Sequence, residues 1–173
     1  QDLAEEIIRI HGYFRMPSNL PPTTIPNTQT NPLLHHEYQA RTYLSNLGFT
    51  EIYNLSLVSQ DLFRQTNLKL EPKLKLSNPL SGEFEYLRTS LIPSLLSNLD
   101  ANRGKVAPPL RLFELAHTYH STKSTLPDET STLSFITYGL DFFTTKGYLE
   151  ALAKHLHLNL KFKPLAKKTP PFI

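Results

Sequence analysis

Five prolines, Pro17, Pro21, Pro22, Pro26 and Pro32, crowd the stretch between residues 13 and 32. Each fixes its φ near about −65° and removes a backbone donor, so no helix or central strand can run through them. The segment, padded with Ser, Asn and Thr, reads as an extended surface connector. It divides the chain into a short leading piece (1–12), a linker (13–32) and a body (33–173).

The leading piece is the clearest helix. Leu3, Ile7 and Ile10 recur at helical spacing with Ile8 beside them, and Gly12 stands where a left-handed terminator belongs. This helix has the character of the tail of a preceding domain. In the body, a helix from about Leu33 to Leu47 sets Leu33, Ala40, Leu44 and Leu47 on one face and stops at Gly48. Glu51 to Val58 reads as one buried strand, Ser59 as the cap of a short helix through Phe63, and Lys73 to Leu76 as an alternating strand. Ile92 to Leu99 is helical with Pro93 in the first turn, and Leu110 to Tyr119 is a long strand. A Ser/Thr-rich loop over 121–131 precedes a strand from Leu133 to Leu140, a helix from Thr145 to Leu156 and a short strand over 160–162. Helices and strands intermix without βαβ spacing. The expected class is α+β, a mostly antiparallel sheet flanked by helices.

Composition removes several functions. With no cysteine there is no disulfide framework, thiolate metal site or cysteine nucleophile, and no GxSxG elbow presents a serine. Six glycines form neither a GxGxxG fingerprint nor a GxxxxGK[ST] loop. No apolar run approaches the roughly 20 residues that span a bilayer, so no membrane partner is expected. The acidic start lacks the basic region of a signal peptide, and the cytoplasm is the expected compartment. The net charge of +3 sits mainly in the second half and reads as a solvated surface.

Three groups of residues could carry chemistry. Asp2, Glu5 and Glu6 share an arc of about 100° on the first helix, opposite Leu3, Ile7 and Ile10. Carboxylates this close repel unless a cation lies among them, and Mg²⁺ suits their oxygens. The same residues also suit a capping box and the positive end of the helix dipole. Arg88 and Arg111 could clamp a phosphate or carboxylate, or Arg111 and Glu114 could form a surface pair along a strand end. His35/His36, His117/His120 and His155/His157 diverge at their spacings on helix or strand and read as solvated. Lys161, Lys163, Lys167 and Lys168 around Phe162 could touch RNA or serve as a solubilising tail.

Taken in order, several segments resemble one family. Asp2-Leu3-Ala4-Glu5-Glu6-Ile7-Ile8-Arg9-Ile10-His11-Gly12-Tyr13 is similar to the D-L-x-E-E-x-x-R-x-x-G-Y segment of bacterial-type phenylalanyl-tRNA synthetase beta subunits. The likeness continues through Leu47-Gly48-Phe49-Thr50-Glu51, Ser77-Asn78-Pro79-Leu80-Ser81, Leu87-Arg88-Thr89-Ser90-Leu91-Ile92-Pro93, Arg111-Leu112-Phe113-Glu114 and Asp141-Phe142-Phe143-Thr144-Thr145-Lys146-Gly147.

The resemblance implies a class II synthetase-like core that has lost its catalytic residues and packs on a catalytic alpha subunit. The enzyme, a heterotetramer of two alpha and two beta subunits, uses ATP to join phenylalanine to its tRNA. It also implies that Asp2, Glu5 and Glu6 belong to an Mg²⁺ site whose further aspartate would precede this chain. The chain is then expected to be a fragment, with an editing domain upstream and more of the core downstream. A catalytic class II core would hold ATP with an arginine near a strand end and a second one in a later glycine-rich segment. Arg88 and Arg111 could serve the first role, but no glycine-rich segment follows, so the chain alone is expected to be inactive. Tyr38, Tyr43, Phe84 and Tyr86 are candidate interface aromatics. The alternatives are a divergent ligase active alone and an RNA-binding module.

Overall fold

A computed structural model describes residues 1–163 apart from 26, 30 and 69. The chain divides into two compact units, residues 1–30 and 31–173.

In the first unit, α1 (Asp2–His11) ends at Gly12, whose N–H donates to the Ile8 carbonyl and whose φ is 95°. A Cβ at Gly12 would lie 2.5 Å from the Phe14 ring, so both the angle and the space call for glycine. A 3₁₀ turn over Tyr13–Arg15 follows. The apolar stripe exists, but none of α1 is buried: Leu3, Ile7 and Ile10 are 80%, 63% and 84% exposed.

The second unit is built on a three-stranded sheet in the order β1 (Thr50–Glu51), β4 (Leu110–His120), β5 (Asp128–Tyr138). β4 and β5 form an antiparallel ladder from Leu110↔Tyr138 to His120↔Asp128, while β1 runs parallel to β4 with Thr50 opposite Leu112. The class is α+β as expected, with a mixed sheet. A second, two-stranded sheet pairs β2 (Leu57–Val58) with β3 (Tyr86–Leu87).

Side chains alternate across β4. Phe113 and Leu115 point to one face, where α2 (Pro32–Asn46) contributes Ala40 and Leu44 and α5 (Phe142–His155) contributes Leu152. Phe49 meets the Phe135 and Tyr148 rings edge-on there, at 5.3 and 5.1 Å. Leu112 and Ala116 point to the other face, under Leu91 and Leu95 at and within α4 (Ile92–Asn102). α3 (Gln60–Gln65) is capped by Ser59, whose hydroxyl accepts from Leu62 N–H at 3.1 Å, and it buries Phe63.

Several elements differ from the sequence expectation. The strand expected over 51–58 is two short strands in different sheets, because Asn54 between them turns inward to a carboxylate instead of continuing a ladder. Lys73–Leu76 is no strand. Pro72 opens a 3₁₀ turn over Pro72–Leu74, and only a single bridge, Lys75 to Tyr86, links it to a sheet. β5 starts at Asp128, inside the expected loop, because Thr130 and Thr132 are β-branched and suit a strand. α5 starts at Phe142 rather than Thr145, since Asp141 caps it by accepting from Thr144 N–H at 2.9 Å. Leu33, placed on the buried face of α2, is 52% exposed. Residues 158–163 hold no strand, and Lys167 and Lys168 lie outside the described residues.

Candidate functional site

The sequence singles out Arg88, Arg111 and Glu114, and the fold sorts them differently. Arg88 follows β3, and its backbone N–H donates to the Ser56 carbonyl while its carbonyl accepts from Tyr119 N–H, which pins it against the end of β4. Glu114 lies mid-β4 on the α4 side. Both are 1% exposed. Arg88 Nη1 donates to Glu114 Oε1 at 2.7 Å and Arg88 Nε donates to the His117 carbonyl at 3.1 Å. Asn54 closes the other side of the carboxylate, donating through its backbone N–H to Oε1 at 3.2 Å and through Nδ2 to Oε2 at 2.8 Å. Asn98 on α4 donates to Asn54 Oδ1 at 2.6 Å and to the Ser94 carbonyl at 2.8 Å. Beyond this network on the same face, the Thr118 and Thr132 hydroxyls bond at 2.8 Å.

The surface pair Arg111–Glu114 is therefore replaced by a buried pair, Arg88–Glu114. The reason is strand geometry: residues three apart on β4 point to opposite faces. Arg111 lies on the α2 side, where Nη1 donates to the Leu47 carbonyl at 2.8 Å and the guanidinium sits 5.6 Å from the centre of the Tyr148 ring. Leu47 closes the C-terminus of α2, so Arg111 places a positive charge where the helix dipole is negative. Its Nε is buried with no partner among the described residues. Arg88 and Arg111 thus lie on opposite faces of β4, and the two cannot close on one phosphate.

The three acids share a single helix, α1, and the Glu6 carboxylate is held by Arg9 at 2.7 Å. Among the described residues no group of three His, Asp or Glu side chains is placed to hold a metal ion. The capping-box reading is also replaced: Gln1 takes the cap position without a side-chain bond, and Asp2 and Glu5 occupy the first turn.

The histidines of all three pairs are exposed. His155 stacks on Tyr43 with ring centres 4.2 Å apart, which half-buries Tyr43. Of the other aromatics, Tyr38 is 67% exposed and Phe84 and Tyr86 are half-buried.

The sheet carries helices on both faces, with an arginine–glutamate pair sealed beneath one of them. Residues 16–173 match the family model of the phenylalanyl tRNA synthetase beta chain CLM domain. The chain belongs to this family. A phenylalanine–tRNA ligase beta subunit from Dehalococcoides mccartyi is 34% identical over 93% of this chain, and one from Carboxydothermus hydrogenoformans is 32% identical over 99%. The chain spans 22% and 23% of the length of these two relatives. Among solved structures, the Desulfitobacterium hafniense pyrrolysyl tRNA synthetase superposes with a TM-score of 0.59 at 18% identity, covering 74% of this chain and 48% of that one. At that identity the likeness speaks for the fold alone, a class II synthetase core.

Two members of the buried network, Asn54 and Asn98, escape a reading by residue type. The available signal is an asparagine inside the mostly apolar run Ile52 to Val58. A polar residue there either ends the strand or is bonded inside, and Asn54 does both.

Proposed function

We propose that this chain is a non-catalytic, structural domain of a phenylalanine–tRNA ligase beta subunit. It supports a catalytic alpha subunit, in an assembly of two alpha and two beta subunits, that uses ATP to attach phenylalanine to its tRNA in the cytoplasm. Residues 1–12 are the tail of a preceding domain, 13–32 a linker, and 33–173 the class II synthetase-like core. The observation that carries this reading is the state of the two arginines. Arg88 is neutralised by Glu114 under α4, and Arg111 closes the end of α2. Transition-state stabilisation in adenylate formation needs cations free to follow the phosphate charge as it develops. Arg88, sealed from solvent, cannot do so without breaking its buried ion pair, at a cost of about 3–5 kcal/mol, and Arg111 is turned to the opposite face of β4.

Two measurements test the proposal. The chain incubated with ATP, phenylalanine and labelled pyrophosphate is expected to give no exchange above a protein-free control; exchange that survives further purification refutes the non-catalytic reading. Co-expressed with an alpha subunit, the tagged chain is expected to retain it through affinity purification, and its failure to do so removes the supporting role. Tyr38→Ala, which removes an exposed ring, tests whether that face takes part.

A further inference from the structure

We draw no further inference here: the strongest candidate, the apolar depression that Leu57, Leu62 and Phe84 line between the small sheet and α4, with Tyr53 and Leu55 exposed beside them, carries nothing because nothing in the structure shows what covers it.

Discussion

The two faces of β4 are made from alternate residues of one strand, yet they hold together by different means. Toward α2 and α5, Phe113 and Leu115 meet Ala40, Leu44 and Leu152 in an apolar centre, with polar contacts such as Arg111 to the Leu47 carbonyl and Thr137 to Thr145 at its edge. Toward α4, Leu112 and Ala116 meet Leu91 and Leu95, but Glu114 between them carries its charge into the interior and must be answered by Arg88 and Asn54. The first face depends on volume, so its failures should scale with the space a substitution leaves. The second depends on pairing, so its failures should depend on which partner is left behind.

The largest expected effect breaks the pairing. Glu114→Ala strands Arg88 as an unpaired buried cation and should cost about 3–5 kcal/mol in urea unfolding. Replacing both partners with apolar residues of similar volume, Arg88→Met with Glu114→Leu, should recover most of that loss, because a buried pair is worth little net over hydrocarbon. A double variant as unstable as Glu114→Ala would mean that the face relies on the charges themselves.

On the apolar face, Leu44→Ala should cost about 2–5 kcal/mol, since Leu44 is fully enclosed between α2 and the sheet. Leu44→Met, which keeps the volume, should cost less than about 1.5 kcal/mol. If the two leucine variants lose equal stability, volume is not what this face depends on. At the end of α2, Gly48 has φ 81°, and a Cβ there would sit 2.7 Å from Arg111 Nη1. Gly48→Ala should therefore cost about 1–3 kcal/mol for the backbone alone. Adding Arg111→Ala should relieve the crowding but not the backbone strain, leaving the pair of changes still destabilised.

The apolar face was the more legible of the two in the sequence. Leu110 to Tyr119 carries Leu110, Leu112, Phe113, Leu115 and Tyr119 in a long strand candidate, and Ala40 with Leu44 has helical spacing, so both elements could be placed from residue type. The polar face was half legible. Arg88 and Glu114 stand out as charges within apolar segments, but their partnership joins residues 26 apart and depends on where β3 ends against β4. The odd spacing of Arg111 and Glu114 already argued that a strand would separate them. Asn54 was hidden because polar residues in a mostly apolar run, here Asn54 and Ser56, look like tolerated exceptions. The early start of α5 was missed because Phe142, Phe143, Thr144 and Thr145 favour strands, and the capping bonds of Asp141 outweigh that preference.

That cap gives the smallest effect, and it acts on one face only. The Asp141 carboxylate accepts from the Thr144 hydroxyl at 2.6 Å and from the Thr144 N–H at 2.9 Å, and these bonds, the hydroxyl's first, hold its pKa below the ordinary 3.8. A carboxylate whose pKa is lower folded than unfolded stabilises the fold fully above the unfolded value and loses that contribution as pH falls through the folded one. Asp141→Asn keeps an acceptor for the Thr144 N–H but cannot titrate. The parent should therefore melt higher than Asp141→Asn at pH 6, and the gap should narrow as the pH drops below about 4. Because α5 covers the apolar face, amide exchange should show the narrowing as faster opening in α5, with α4 and the Arg88–Glu114 side unchanged. A gap that persists at pH 2, or that opens α4 equally, would show that the two faces are not separable in this way.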